Sequence, residues 1–185
     1  MNDTKEAMTW LGEQPDTLFL GQAVGCSGTK MSESLEDVPA EKRIEFPVAE
    51  NLQLGVSIGL ALEGFVPVSV FPRIDFLLCA TDQLVLHLDK LPLYSDYRPK
   101  VIVRTAVGSK SPLNAGPQHT GDYSEAFSSM LETVEVLRYF SRSPFERKIK
   151  SCQKRSLVWD FLLGDMLEAY QRAYKSNCST LVVEG

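Results

Sequence analysis

Residues 45–71, EFPVAENLQLGVSIGLALEGFVPVSVF, pass from an extended stretch containing proline into an apolar stretch of helical length and then into a β-rich run. Glu50 closes the extended part and opens a helix predicted over 50–63, and Gly64 is placed to end it, because glycine adopts the left-handed conformation after a helix end without steric cost. The run at 67–71 is apolar without alternation, which suits a strand buried on both faces. A helix feeding into such a strand is half of a βαβ unit.

Working outward, further strands are expected at 17–24, 101–107, 134–140 and 180–184, with helices at 75–90, 124–131 and 157–175. This rhythm predicts an α/β fold: a doubly wound, mostly parallel sheet with helices on both faces. No internal repeat and no Pro- or Gly-rich linker divides the chain, so residues 1–185 read as a single domain. Within the helix after Glu50, Gly55 and Gly59 are four apart on one face, at a cost of roughly 1 kcal/mol each relative to Ala. Something must approach that face closely, either inside the domain or from another chain.

Nineteen Lys and Arg stand against 24 Asp and Glu, a net charge of −5. That balance argues against a nucleic-acid or anionic-membrane partner. The basic run Arg147, Lys148, Lys150, Lys154 and Arg155 has no interleaved aromatics and reads as a solvated face or loop. Cys26, Cys79, Cys152 and Cys178 form no C-x-x-C pair, so no zinc site is expected. No stretch has the length of a signal peptide's apolar core or a membrane span, and a cytoplasmic protein with reduced thiols is expected.

Gly-rich phosphate loops and the G-x-S-x-G elbow are absent from the sequence. The polar stretch 108–123, GSKSPLNAGPQHTGDY, follows the strand VIVRTAV and so lies beyond a strand's carboxyl end, where open α/β sheets place their ligands. It holds His119. Ser124, His119 and Asp122 carry no spacing that marks a hydrolase triad. His87, in DQLVLHLDKL, reads as a core or interface histidine. Arg73, Arg98, Arg104 and Lys110 are candidate anion contacts, with solvated or structural roles the simpler reading.

Four segments occur in a set order: EKRIEFPVAEN, VFPRIDFLLCATDQ, VIVRTAVG and GPQHTGDYSEAF. Together they resemble the pyrimidine-binding domain of thiamin diphosphate enzymes of the transketolase type, which includes the beta subunit of 2-oxo-acid dehydrogenases and 1-deoxyxylulose-5-phosphate synthase. The resemblance covers nearly the whole chain. It implies that Glu50, ending P-V-A-E, is the catalytic glutamate facing the cofactor's aminopyrimidine, and that Phe76, six positions before the Asp82–Gln83 pair, packs on that ring. It implies a second catalytic group, His119, in the G-P-x-H loop near the thiazolium. Such enzymes cleave or form a carbon-carbon bond beside a carbonyl through the cofactor's thiazolium carbanion. A carboxyl group is needed at Glu50 because it can share a proton with a ring nitrogen, which an amide cannot. Cys79 stands where deoxyxylulose-type enzymes carry Arg, which disfavours a sugar-phosphate substrate.

The resemblance also implies Mg, held with the diphosphate by a Gly-Asp-Gly motif. Here Gly121-Asp122 runs into Tyr123 and Gly164-Asp165 into Met166. A separate diphosphate-binding subunit carrying GDG is therefore expected as partner, with two copies of each chain in a heterotetramer and no activity without it. Family beta subunits continue into a further domain after the position of TLVVEG, so either the subunit is naturally minimal or this sequence is a fragment; the missing domain somewhat favours a free-standing ligase, decarboxylase or transketolase-like activity on a 2-oxo acid or ketose over docking to a multienzyme core. The alternative expectations are a non-catalytic regulatory or scaffolding homologue and, more distantly, a flavodoxin-like nucleotide binder.

Overall fold

In the computed structural model, residues 3–108, 114–140, 158–162 and 166–185 are described. Seven parallel strands form one sheet: β1 (Thr17–Gly21), β2 (Arg43–Glu45), β3 (Val66–Phe71), β4 (Ile102–Ala106), β5 (Glu135–Phe140), β6 (Val158–Leu162) and β7 (Thr180–Glu184), in the order β2-β1-β3-β4-β7-β5-β6. The helices are α1 (Asp3–Glu13), α2 (Lys30–Glu33), α3 (Glu50–Leu62), α4 (Ile74–Leu77), α5 (Leu91–Tyr94), α6 (Ser124–Met130) and α7 (Met166–Lys175).

Successive strand residues point to opposite faces, and the apolar runs fill both. On one side Val68, Val70, Ile102, Leu137 and Val182 meet Met8 and Leu11 of α1 and Ala169, Tyr170 and Ala173 of α7. On the other, Phe71, Val103, Val136, Leu181 and Val183 meet Leu54 and Ile58 of α3 and Phe127 of α6. The doubly wound arrangement expected from the unbroken apolar runs is thus the one adopted.

Two expected helices differ. The helix at 75–90 is broken into α4, a 3-10 turn at Leu78–Ala80 and a π-helix at Gln83–Leu88. The cause lies at its end, where Asp89 is fully buried and its N–H reaches back five residues to Leu84 O at 3.0 Å. Asp89 Oδ1 accepts the N–H groups of Glu132, Thr133 and Val134 at 2.9, 2.7 and 2.9 Å, and Lys90 Nζ lies 2.9 Å from Oδ2. The wider turn delivers that carboxylate to the start of β5. The helix expected at 157–175 is strand β6 followed by α7, because β5 would otherwise leave one edge of backbone groups unpaired. Helix α1 and the short β2 were not anticipated.

Burial pushes the Asp89 carboxyl up, but the Lys90 ammonium and the backbone donors outweigh it and hold the group below the usual carboxylate range. Its contribution is therefore complete above the unfolded value, about 4, and is lost as pH falls through the lower folded value. Asp89→Ala leaves three N–H groups without an acceptor and is expected to cost about 3 kcal/mol at neutral pH. Urea unfolding at neutral pH and in acid checks both parts, since the gap between variant and parent should narrow in acid.

Arg104, a candidate anion contact, is buried under α7 and pairs with Glu184, so its role is structural. Arg98 donates to the Ser95 and Tyr97 carbonyls at 2.8 and 3.1 Å within its own turn. Arg73 is half-buried at the start of α4. Lys110, the basic run at 147–155 and Cys152 lie outside the described residues.

Candidate functional site

The site is built where β1, β3 and β4, adjacent in the sheet, end together at the carboxyl edge. Gly21 closes β1 at φ 152°, and a Cβ there would lie 2.2 Å from the Val70 carbonyl oxygen, so only glycine lets the two strands run this close. The chain then turns through Ala23 at φ 59° and aims the N–H groups of Ala23, Val24 and Gly25 at one carboxylate, Glu45, at 2.9, 2.9 and 2.6 Å. These bonds tie the loop after β1 to the end of β2, and Phe46 N–H adds a bond of 2.9 Å to Gly21 O.

Glu50 follows four residues later as the first residue of α3, half-buried, with its carboxylate at the positive end of the helix. Gln22 donates its side-chain N–H to Glu50 Oε1 at 3.2 Å. One turn on, the fully buried Gln53 donates to Ser69 Oγ at 3.1 Å and Val70 O at 3.0 Å, which seats the start of α3 on β3. The Asp82–Gln83 pair also serves α3. Asn51 donates to Asp82 Oδ1 at 2.5 Å, a bond that holds the Asp82 carboxyl below its usual range, and Gln83 lies against Gly55.

Phe76, half-buried on α4, and His119, on a 3-10 turn at Pro117–His119, meet with ring centroids 5.4 Å apart and an interplanar angle of 60°. Glycines make the approach possible: a Cβ on Gly108 would lie 1.8 Å from the His119 carbonyl oxygen, and Gly116 takes φ 85° just before the turn. Glu50 therefore stands beyond β1 and β2, and the ring pair beyond β3 and β4, along one edge. The arrangement places a carboxylate and an aromatic–imidazole ring pair along the same edge of the sheet.

Several expectations are corrected. His87 is exposed on the π-helix, which removes the core position and leaves the interface one. Ser124 is buried and both its N–H and its hydroxyl donate to Asp122 Oδ1, at 3.1 and 2.7 Å, a local turn leading into α6. Gln22, Glu45 and Asp75, whose Oδ1 accepts the Gly121 N–H at 3.3 Å, were not singled out from the sequence. Gln22 alone had a signal, being the first polar residue after an apolar strand. Cys26 and Cys79 are exposed and Cys178 half-buried, all as free thiols. Among the described residues no group of three or more His, Cys, Asp or Glu could hold a metal ion, and no helix is long and apolar enough to cross a membrane.

Solved structures with this architecture include transketolases. A structure described as a split gene transketolase, inactive beta4 tetramer, matches with a TM-score of 0.67 at 16% identity, covering 98% of this chain and 49% of that one. Transketolases from Campylobacter jejuni and Leishmania mexicana match with TM-scores of 0.65 and 0.63 at 14% and 13% identity, each covering 98% of this chain and 24% of theirs. The fold is that of the transketolase type, as the ordered segments implied.

Within that class, sequence similarity reaches the 3-methyl-2-oxobutanoate dehydrogenase subunit beta of two strains of Mycobacterium tuberculosis, 31% identical over 113 residues, 60% of this chain and 32% of the relative. The chain thus spans about a third of the length of the curated relatives it matches. No family model matches it.

Proposed function

We propose that this chain is the pyrimidine-binding subunit of a two-chain thiamin diphosphate-dependent enzyme acting on a 2-oxo acid or ketose. The observation that carries the reading is Glu50: a carboxylate at a helix start, braced by Gln22, on the edge that also presents the Phe76–His119 ring pair. The residues fit the cofactor, since a half-buried aromatic face lies near an acid free to share a proton and an imidazole whose Nδ1 has no partner. When bound, thiamin diphosphate supplies a nucleophilic thiazolium carbon.

Glu50 would hold and release a proton at a pyrimidine ring nitrogen, with Gln22 fixing which carboxylate oxygen faces it. Phe76 would pack on the pyrimidine face, and His119 would move a proton at a substrate oxygen or stabilise its charge. Mg and the diphosphate would be held on a proposed partner chain carrying Gly-Asp-Gly, a motif not found in these 185 residues; one matched structure is titled a split gene transketolase. Two copies of each chain would then make a heterotetramer, inactive as single subunits.

The surface supports a partner. Leu52, Gly55, Gly59 and Leu62 share one face of α3; Leu52 is 56% exposed, and a Cβ on Gly59 would meet nothing within 4 Å. Leu86, 61% exposed, continues the apolar surface on the π-helix packed beside α3. Gly59→Ala is expected to stabilise the separate chain by about 1 kcal/mol through helix propensity and to weaken subunit assembly. Thermal melts and analytical ultracentrifugation of the mixed subunits read the two effects.

The test of the function is calorimetry of thiamin diphosphate and Mg with the paired subunits, followed by turnover assays on 2-oxo acids and ketoses. Saturable binding and turnover support the reading. Binding by the partner alone, unaffected by this chain, would leave a regulatory or scaffolding role.

A further inference from the structure

Beside the Phe76–His119 ring pair are two buried polar atoms without hydrogen-bond partners, Asp75 Oδ2 and His119 Nδ1. Asp75 is 9% exposed, sits in the first turn of α4 next to Phe76, and spends its other oxygen on the Gly121 N–H at 3.3 Å. His119 is two residues before Gly121, with its ring against Phe76 and its carbonyl pressed on Gly108. A carboxylate oxygen that needs a donor and an imidazole nitrogen able to donate are thus tied to one loop, through the Gly121 bond two residues from His119. Leaving a buried carboxylate oxygen bare is costly, and the complementary group is at hand. The backbone on both sides of His119 is held, by the close approach to Gly108 and by the bond at Gly121, so the freedom left is rotation of the imidazole.

We propose that Asp75 is a positioning residue for His119. Its Oδ1 anchors the loop at Gly121, and its Oδ2 takes the His119 Nδ1–H after rotation of the ring, which fixes the tautomer whose Nε2 carries the free lone pair. This rests on the function proposed above and deepens it: an imidazole with Nε2 unprotonated can take a proton at a substrate oxygen and later return it. The orienting acid comes from a different element than the histidine, an arrangement in which a carboxylate sets both tautomer and direction.

The chain has two histidines, so nitrogen NMR of the full chain resolves both imidazoles, and His87→Gln assigns them. At about pH 8, where imidazole is neutral, His119 is expected as the Nδ1–H tautomer. Asp75→Asn places an amide donor where an acceptor is needed and should lower the ratio of Nδ1–H to Nε2–H at least about tenfold, the worth of one charge-assisted hydrogen bond. The Gly121 amide should stay protected from exchange in Asp75→Asn, whose oxygen still accepts, and lose protection in Asp75→Ala.

An Nε2–H tautomer in the parent chain, or an unchanged ratio in Asp75→Asn, overturns the proposal; should Asp75→Asn not fold, the parent's tautomer decides. None of these readings uses the cofactor, so a failure here is separate from a failure of thiamin diphosphate binding. In the assembled enzyme Asp75→Asn should lower kcat roughly tenfold with KM unchanged.

Discussion

Glu50→Gln in the assembled enzyme is expected to lower kcat by about 10²–10⁴-fold, the range that a positioned proton-transfer group contributes. The substitution keeps the size of the side chain and can keep a hydrogen bond to Gln22, now 3.2 Å from Oε1. It removes the one property an amide lacks, the ability to carry a proton to and from a ring nitrogen. Stability should hardly move: Glu50 is half-buried, and the loss of a charge at the start of α3 is worth about 0.3–1 kcal/mol. Affinity for thiamin diphosphate should likewise change little, because the packing proposed for Phe76 on the ring is untouched.

Steady-state kinetics beside calorimetry separate these terms, and full turnover in Glu50→Gln with cofactor bound would remove Glu50 from the chemistry. Gln22→Ala is the companion: it removes a brace rather than the proton carrier, so its effect on kcat should be the smaller of the two.

The largest expected loss of stability comes from Arg104→Ala, at about 3–5 kcal/mol, the cost of breaking a buried ion pair from one side. Arg104 Nε donates to Glu184 Oε1 at 2.9 Å, Nη2 to Oε2 at 3.3 Å and Nη1 to Ser34 Oγ at 2.9 Å. Tyr170 of α7 donates to the same Glu184 oxygen at 2.7 Å, and burial together with the Glu184 carboxylate keeps that phenol well above its usual range, so it remains a donor. The cluster joins β4, β7, α7 and the turn after α2 under the carboxyl edge of the sheet.

Removing the guanidinium leaves Glu184 a largely buried charge with Tyr170, among the described residues, as its remaining side-chain donor. At roughly 2–4 °C per kcal/mol for a chain of this size, the melting temperature should fall by about 10 °C, as read by calorimetry. A double replacement, Arg104→Met with Glu184→Leu, should recover much of the loss, because no charge is then stranded. A loss under about 1 kcal/mol in Arg104→Ala would show that the pair is solvated.

The parallel, doubly wound sheet could be read from the sequence because strands buried on both faces are mostly apolar without alternation, and 67–71, 101–107 and 180–184 are, with a few polar residues such as Ser69 and Arg104 among them. Helix α3 was equally legible, since Glu50 and Gly64 mark its ends and its apolar run fills one face. Glu50, Phe76 and His119 were singled out through the resemblance that four ordered segments carry, and in the fold all three lie beyond the carboxyl ends of strands, where an open α/β sheet gathers its ligand contacts.

Contacts between residues distant in sequence were decided only in three dimensions. The π-helix at Gln83–Leu88 depends on Asp89 reaching N–H groups more than 40 residues away, and β6 depends on an edge of β5 that local propensity does not record. The glycine face of α3 looked from sequence like a place of tight packing within the domain or between chains; in the fold Gly55 touches Gln83 while Gly59 stays bare. Asp75 and Gln22 carried little or no local signal because each acts across strands, through Gly121 and Glu50. The residue types and their order thus determined the sheet and the acid at its edge, and the tertiary structure decided what braces that acid and what surrounds the imidazole, because hydrogen bonds and buried charges depend on neighbours that only folding brings together.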